Sequence, residues 1–536
     1  MSLNVDLLLT GGKIYTGVKD PAPVEAIAVK SGRICAVGKI NELCVLNAKN
    51  KIDLKDKILI PGLIDAHNHL SYYSQLLLLL DCRTPLNGEI SDLLNKIQSK
   101  AKNTPAGQLI RGWGFAEYKA REHRYPTRAE LDEAAPANPV IITHASGHSA
   151  VANSLMLKLM KIDAQTPDPQ GGKIERDPIT NEPTGVLHDA AMFQHSLEAL
   201  MMEFGTLSLE ERIVILERGA VEYARVGITT VGDPGTMPTH FSAYQEAARN
   251  NRLKCRVVAF PFYETCKPFL DSGLRSGFGT DMFKIGPIKI IGDGSLSGRT
   301  AAVSQPYKNS NSLGLLYRDQ EMLDKIVAEL DSLGQQIAIH AIGDRAVEQV
   351  LISYEKVIGR GNINLRRHRM EHAGIVNPKL LQQMKEIDLV IATQPRMLYE
   401  QGDGFFRSCG DERIHWVYPY KSYIDMGLHV AGSSDCPVTM PDPLLGMRDG
   451  MLRRTEEGLI LAPEQKLNIE QVFRMFTLEA AYSLFDEEDK GTLEEGKLAD
   501  MLVLSDDPFT LPPEKWEGQL CVEKTIVGGE VVYSKE

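Results

Sequence analysis

Features that mark several other classes of protein are scarce in this sequence. Its eight cysteines are scattered without a C-x-x-C pair, so reduced thiols are expected rather than a disulfide framework. The most apolar short run, LLLLL at residues 76–80, is far too short to cross a bilayer. The first residues lack a basic segment followed by a long apolar core, so no signal peptide is expected. These absences favour a cytoplasmic location.

Positive charge is also in deficit. The chain has 59 Lys and Arg against 71 Asp and Glu, which leaves a formal net charge of −12 at pH 7. This balance argues against nucleic acid or a membrane as a main partner. The remaining composition, 43% hydrophobic and 24% charged, is ordinary for a soluble globular protein. A homodimer is left open.

Strand-rich sequence occurs at both ends of the chain. Residues 1–60 contain short β-rich runs, such as EAIAVKSGRICAVG, that are broken by glycine and charged turns. Residues 491–536 have the same texture, for example in CVEKTIVGGEVVYSKE. We predict that these two segments together form one composite β-sandwich.

Between the two ends, short apolar strands alternate with helices. Runs such as LGQQIAIHAIGD and IDLVIATQPR end in polar or glycine-rich residues, which is typical of βα units. Seven clear strands and room for an eighth predict an α/β fold, a TIM-like (β/α)8 barrel over residues 61–80 and 215–490. The long interval after the first strand predicts an inserted subdomain, residues 81–214, near the mouth of the barrel.

Two histidines follow the first apolar run, PGLIDAHNHL. His67 and His69 form an i, i+2 pair, and on a strand such residues point to the same face. Two converging imidazoles are suited to binding a metal ion. The alternative is a solvated histidine pair in a loop.

Four more residues that can bind a metal ion or carry a charge lie at the ends of predicted barrel strands. They are Lys289 in PIKII, His340 in IAIHAIGD, His372 in RMEHAG and Asp435 in AGSSDCP. Each has an ordinary alternative: a core histidine, a turn aspartate or a lysine that extends to water. Their shared position at strand ends, where such barrels carry their chemistry, favours one joint site. Glu371 is predicted to face the opposite side of its strand and is therefore left out of the site.

The motifs PGLIDAHNH, KIIGDGSLSGRTA, IAIHAIGDRAV, MEHA, GSSDCPV and GKLADMLVL resemble the amidohydrolase superfamily. They are most similar to amidohydrolase family 3, the group that includes N-substituted formamide deformylase. The resemblance covers nearly the whole chain, because GWGF, RAELDEAAPANPV and GHSAVANS in the predicted insertion match as well. It implies a metal-dependent hydrolase that cleaves an amide, N-formyl or N-acyl C–N bond of a small molecule.

The resemblance also implies roles for the six residues at the strand ends. It assigns His67, His69 and Asp435 to one metal ion, His340 and His372 to a second, and Lys289, as a carbamate, to both. A metal-bridging hydroxide would attack the carbonyl, and Asp435 would transfer the proton. The expected cofactor is one or two divalent ions, with Zn²⁺ first and Fe²⁺ or Mn²⁺ as alternatives.

Three further residues are predicted to contact the substrate. His148 in the insertion is expected to hydrogen-bond its carbonyl or oxyanion, although a structural loop histidine is an equal alternative. Asp293 and Arg299 are expected to bind a substrate carboxylate or to order their loop. A deaminase or cyclic-amide hydrolase on the same scaffold and a non-catalytic relative are the competing functions. Lys289 favours acyl C–N hydrolysis over ring deamination.

Overall fold

The computed structural model describes residues 4–17, 24–83, 87–117, 119–145, 149–169, 172–189, 191–192 and 204–535. The chain divides into two compact units, Met1–Ser71 with Leu216–Glu536 and Tyr72–Ile215. Among the described helices, none combines the length and the apolar composition that spanning a bilayer requires.

The described residues form strands and helices throughout both units. The strands are β1 (Asn4–Ile14), β2 (Val24–Lys30), β3 (Arg33–Gly38), β4 (Asn47–Asp53), β5 (Ile58–Pro61), β6 (Leu63–Asp65), β7 (Leu80–Asp81), β8 (Ile110–Phe115), β9 (Val140–His144), β10 (Ser149–Ala152), β11 (Gly172–Arg176), β12 (Pro183–Asp189), β13 (Ile228–Thr236), β14 (Arg256–Pro261), β15 (Phe283–Ile285), β16 (Ile288–Ile291), β17 (Ile337–Ala341), β18 (Arg369–His372), β19 (Val390–Thr393), β20 (His429–Gly432), β21 (Met501–Leu504), β22 (Val522–Val527) and β23 (Glu530–Ser534). The α-helices are Ile40–Leu43, Leu70–Leu76, Ile90–Lys102, Arg128–Ala134, Ser154–Leu159, Leu209–Arg225, Pro238–Arg249, Lys267–Asp271, Gln320–Ser332, Asp344–Ile358, Pro378–Glu386, Pro395–Arg413, Tyr420–Asp425, Pro443–Leu452, Ile469–Met475, Leu478–Ser483 and Trp516–Gln519.

Strands from both ends of the chain pair in one sheet. Its order is β23-β22-β21-β5-β1-β2-β3, with β4 also paired to β1. The two ends meet where β5 and β21 run antiparallel, with Ile60 opposite Leu502. Leu9, Ile27 and Val503 belong to one buried cluster beneath this sheet. The two ends of the sequence therefore share a hydrophobic core, while the predicted boundaries of a composite sandwich stay a prediction.

The described residues of the larger unit form two further sheets, and both are all-parallel. One has the order β15-β14-β13-β6, and the other runs from β16 to β20 in sequence order. Most of their strand residues are buried, and apolar runs such as Ile337–Ile339 and Val390–Ala392 are typical, as expected when helices cover both faces of a sheet. The predicted α/β architecture of alternating strands and helices is confirmed.

The helices that follow β16 and β17 show how local sequence builds this alternation. In helix Gln320–Ser332, the Asp319 side chain accepts a hydrogen bond from the Met322 amide at 2.8 Å and caps the first turn. Helix Asp344–Ile358 buries Val347, Val350 and Tyr354 along one face, because these positions are three or four residues apart. Helix Asp344–Ile358 starts three residues after β17, the strand that carries His340, whereas a long loop separates β16, which carries Lys289, from helix Gln320–Ser332.

The smaller unit contains a second type of sheet, with the order β11-β12-β10-β9-β8-β7. Leu93, Ile142 and Val151 belong to its own buried core. This unit, Tyr72–Ile215, spans the residues predicted to form the insertion, 81–214, and the predicted boundaries stay a prediction. His148 lies outside the described residues, so its predicted contact with the substrate stays a prediction.

Candidate metal centre

Three residues from distant parts of the sequence meet where parallel strands end. One potential ligand atom from each of His67, His372 and Asp435 lies within 4.8 Å of the other two. His372 and Asp435 have φ values of 74° and 61°, a left-handed conformation that is uncommon outside glycine and often found at functional sites. Backbone hydrogen bonds hold the loops together, from the Asp435 amide to the His67 carbonyl and from the His69 amide to the Cys436 carbonyl, both 2.9 Å.

The histidine pair of the first motif converges on one carboxylate oxygen. Nε2 of His69 lies 3.0 Å from Asp435 Oδ1, and Nε2 of His67 lies 3.3 Å from the same atom. Burial alone would raise the pKa of Asp435, but the two imidazoles that face its carboxylate hold the pKa well below its ordinary range. Asp435 is therefore an ionised acceptor at neutral pH.

The other two predicted histidines pack beside this pair with their rings tilted or edge-on. The ring centroid of His372 lies 4.9 Å from that of His67 and 4.5 Å from that of His340. Burial lowers the pKa of His340 to about 3 and that of His372 well below its ordinary value. Both imidazoles are therefore neutral at physiological pH, which is the form that binds metals.

His340 differs from the other three histidines of the cluster in the ring nitrogen that meets a hydrogen-bond acceptor, which is Nε2 and not Nδ1. Its Nε2 lies 3.0 Å from the Gly294 carbonyl oxygen and 3.4 Å from Asp293 Oδ1. Nε2 therefore carries the proton in the neutral ring, and Nδ1 keeps the lone pair. His340 would offer a metal its Nδ1.

Lys289 lies in the same buried cluster. Its side chain is 2% exposed, and Nζ lies 3.5 Å from His67 Nε2. Burial lowers the pKa of Lys289 from 10.5 to about 8. A larger fraction of this amine is therefore neutral at neutral pH than for an exposed lysine.

The prediction that Glu371 faces away from the site is wrong. Its carboxylate contacts His67 Nδ1 and accepts a hydrogen bond from Arg369 Nε at 2.6 Å. Side chains alternate only while the backbone stays extended, and the left-handed φ of His372 ends that alternation. One sequence signal was available, because Arg369 and Glu371 form an oppositely charged i, i+2 pair within one short strand.

A second group of polar residues missed by the sequence analysis joins the two loops of the site. Asp65 accepts hydrogen bonds from the Ser434 amide at 3.0 Å, the Ser434 hydroxyl at 2.6 Å and the Asn68 side chain at 2.8 Å. Burial raises the pKa of Asp65 to about 6. These contacts tie the residues beside His67 to the residue that precedes Asp435.

Of the three predicted substrate residues, Asp293 and Arg299 lie in the described part of the chain, and their surroundings differ. Asp293 is buried and accepts hydrogen bonds from the amides of Ala302 at 2.8 Å, Ile342 at 3.0 Å and Gly343 at 2.8 Å. Burial raises the pKa of Asp293 to about 7. Arg299 is exposed and its Nε lies 3.4 Å from the Ser408 hydroxyl. Asp293 thus orders the loop after β16, and a substrate contact by either residue stays a prediction.

The hydrogen bonds of three histidines fit a bound divalent cation. Nδ1 of His69 lies 2.9 Å from the Pro234 carbonyl oxygen, Nδ1 of His372 lies 2.8 Å from Gln394 Oε1, and Nδ1 of His67 meets a carboxylate. An acceptor at Nδ1 fixes the proton there and leaves Nε2 with its lone pair. Imidazole nitrogens with a carboxylate oxygen are a donor set for Zn²⁺ and related ions.

Comparison with known proteins adds the family to this geometry. A family model described as the amidohydrolase family matches residues 51–533. The chain belongs to the amidohydrolase family. The resemblance inferred from its motifs is therefore confirmed.

Similar proteins match along almost their whole length. N-substituted formamide deformylase of Arthrobacter pascens is 29% identical, covering 99% of this chain and 98% of its own. Protein LONG AFTER FAR-RED 3 of Arabidopsis thaliana is 30% identical, covering 98% of this chain and 91% of its own. The crystal structure of an uncharacterized metal-dependent hydrolase from Pyrococcus horikoshii has a TM-score of 0.77 at 26% identity, covering 95% of this chain and 99% of that one. The family and this structural neighbour support hydrolase activity.

Proposed function

We propose that this member of the amidohydrolase family is a metal-dependent hydrolase that cleaves a C–N bond in a small amide, N-formyl or N-acyl compound. The observation that carries the proposal is the fixed Nδ1 of His67, His69 and His372 beside the ionised Asp435. A relative named for the removal of formyl groups from substituted formamides supports the choice of bond.

We infer that the two parallel sheets are the halves of one (β/α)8 barrel. Only Gly286 and Pro287 separate β15 from β16, and Phe262 forms a parallel bridge with Lys289 across the two sheets. At the other seam, the Ala66 amide donates to the Gly432 carbonyl at 3.2 Å. A closed barrel would bring all the carboxyl ends of its strands to one face, where barrel enzymes carry their sites. Residues 1–60 with 491–536 and residues 81–214 complete this proposed domain arrangement.

The predicted ligands divide into two groups in the proposal. His67 and His69 through Nε2, with Asp435, would hold one ion, while His372 and His340 would hold a second. A bound divalent cation polarises a carbonyl oxygen and lowers the pKa of water. Lys289 is proposed to be carboxylated, because its buried and partly neutral amine can add CO₂ and release one proton, and the resulting carbamate would offer oxygen ligands to the proposed ions.

Asp435 is proposed to move the proton in this reaction. Its carboxylate is ionised at neutral pH and lies against both His67 and His69, so it can accept a proton from water beside the substrate carbonyl. It would then return that proton to the leaving nitrogen, which leaves as a neutral amine. The hydrogen bonds from Ser434 and Asn68 to Asp65 keep the Asp435 loop in register with the histidine pair.

A product screen tests the proposed reaction. The enzyme is purified without added metal, assayed on N-formyl and N-acyl amines, and each product is identified as an amine or as free ammonia. Asp435→Asn should lose most of the activity, on the order of 10²-fold or more. Asp319→Asn, which changes an exposed helix cap, is the control and should keep full activity.

The same screen separates the competing functions. Release of ammonia from a ring amine, with no acyl cleavage, would replace the proposal with a deaminase. Ring opening without release of an amine would indicate a cyclic-amide hydrolase. A protein that binds no divalent ion and turns over no compound would be a non-catalytic relative.

A further inference from the structure

We propose that Arg369 and Glu371 are positioning residues that fix the ring of His67 for metal binding. This inference rests on the proposed function, because it assumes that His67 is a metal ligand. It assigns a task to two residues that are not predicted ligands themselves. Neither residue needs to touch the substrate or the metal ion in order to act.

Glu371 determines which nitrogen of His67 faces the site. Its Oε2 contacts His67 Nδ1, and both side chains are fully buried. A carboxylate at Nδ1 holds the proton on that nitrogen, so the lone pair of the neutral ring stays on Nε2. Nε2 is the atom that lies near Asp435 and Lys289.

Arg369 holds Glu371 in this position. Its Nε donates to Glu371 Oε1 at 2.6 Å and its Nη2 donates to Oε2 at 2.9 Å, so the carboxylate is gripped at both oxygens. Because the pair has one positive and one negative charge, Glu371 is buried without leaving an unpaired charge. Rotation of Glu371 away from His67 would break this fully buried ion pair, which is costly.

Arg369 is itself anchored to the loop that carries His67. Its Nη2 also donates to the carbonyl of Ala66 at 2.9 Å, and Ala66 directly precedes His67. Nη1 reaches the Ser483 hydroxyl at 3.3 Å, and the guanidinium lies 5.1 Å from the ring centroid of Phe260. The same arginine thus fixes both the backbone next to His67 and the acceptor at its ring.

The protein contains a matched ion pair that lacks a histidine. Arg256 donates from Nε and Nη2 to both oxygens of Asp500, at 2.7 and 2.8 Å, and the two side chains are 4% and 6% exposed. This pair has the same chemistry and nearly the same burial as Arg369 with Glu371. A merely structural role for Glu371 predicts equal consequences when either carboxylate is neutralised.

The experiment compares Glu371→Gln and Glu371→Asp with Asp500→Asn in the full-length protein. Each protein is stripped with a chelator, and Zn²⁺ affinity is measured by competition with a chromophoric chelator. Urea unfolding of the stripped proteins reports stability separately. We expect Glu371→Gln to bind Zn²⁺ roughly 10–100-fold more weakly, as for other residues that support metal ligands. Glu371→Asp should bind more tightly than Glu371→Gln, and Asp500→Asn should stay within about threefold of wild type despite its lower stability.

Two results would overturn the inference. One is a Zn²⁺ affinity of Glu371→Gln within about threefold of wild type, and the other is an equal loss in Asp500→Asn. If Glu371→Gln does not fold, Arg369→Lys replaces it, because it keeps the positive charge but loses the two-pronged contact, and the same limits apply. If the wild-type protein binds no Zn²⁺, both the proposed function and this inference are contradicted. If the wild-type protein binds Zn²⁺ and Glu371→Gln binds it equally well, only this inference is contradicted.

Discussion

Two lysines are buried in this protein in opposite electrostatic settings. Lys490 donates to Asp486 Oδ2 at 2.9 Å, and Lys284 donates to the other oxygen of the same carboxylate at 2.5 Å. Lys289 instead has His67 Nε2 at 3.5 Å from its Nζ and lies among the predicted metal ligands without a bonded carboxylate of its own among the contacts described. Burial lowers the pKa of both Lys490 and Lys289. For Lys490, the negative charge of Asp486 is the largest effect that opposes this lowering.

The difference between the two lysines indicates what each is for. A buried cation that is bonded to a carboxylate has its charge balanced by that partner. Removal of either partner is therefore expected to change the stability of the protein and not its catalytic activity. A buried amine that faces an imidazole has its pKa displaced without such a pair, which is typical of functional sites. The comparison therefore predicts that mutations at the two places separate metal content and activity from stability.

Loss of the Lys289 side chain should have the largest effect. Lys289→Ala removes the proposed bridge, so we expect at least one metal ion to be lost and kcat to fall on the order of 10³-fold. Metal analysis and turnover on a responsive amide measure both. Short carboxylates added to the variant should restore part of the activity. A variant with two metal ions and full activity would contradict the binuclear proposal.

Removal of Asp486 should act on stability alone. Asp486→Ala leaves the ammonium groups of Lys284 and Lys490 buried without their shared carboxylate, and we expect a loss of about 3–5 kcal/mol in the free energy of unfolding. Urea unfolding gives this value, and metal content should equal that of wild type. A variant that unfolds like wild type but loses metal would erase the contrast between the two regions.

The pH dependence of unfolding should distinguish Lys289 from an ordinary lysine. In metal-free protein its folded-state pKa is about 8, against 10.5 as the ordinary value, so between these values the unfolded chain binds more protons. Stability should therefore rise with pH across this window, by up to about 3 kcal/mol. The measurement is the difference between wild type and Lys289→Met in urea, because other titrating groups cancel. A flat difference from pH 8 to 10.5 would show that the amine keeps an ordinary pKa.

The smallest expected effect concerns the acceptor behind His372. Gln394→Leu removes the side-chain oxygen that lies 2.8 Å from His372 Nδ1, and we expect Zn²⁺ affinity to fall about tenfold. Gln349→Leu, a buried glutamine that donates to the Arg318 carbonyl, is the control and should leave the affinity unchanged. Equal losses in both variants would assign the effect to packing instead.

Much of the site was predictable because its signals are local. The i, i+2 spacing of His67 and His69 predicted that they converge, and in the structure both Nε2 atoms approach Asp435, although strand β6 ends at Asp65 and the pair lies just beyond it. Lys289 stands out as a charge inside the apolar strand IKII. The alternation of strands with amphipathic helices predicted the α/β architecture, since its two periods are visible in any single sequence.

The contacts that support the predicted ligands could not be predicted from the sequence, because they join residues that are far apart in it. Asp65 binds Ser434 across 369 positions, and no periodicity in either segment reports that pairing. Glu371 was assigned to the wrong face because the pleat rule assumes extended backbone, and the left-handed φ of His372 appears only in the folded chain.

The sequence by itself determined the residue types of the site, their positions at strand ends and the family of the chain. The tertiary structure decided which nitrogen each histidine presents, since that depends on the acceptor that packing brings to the other side of the ring. For His67 the acceptor is Glu371, for His69 the Pro234 carbonyl, and for His372 Gln394. A hydrogen-bond partner is selected by distance in space, and local sequence patterns hold no information about distances between remote segments.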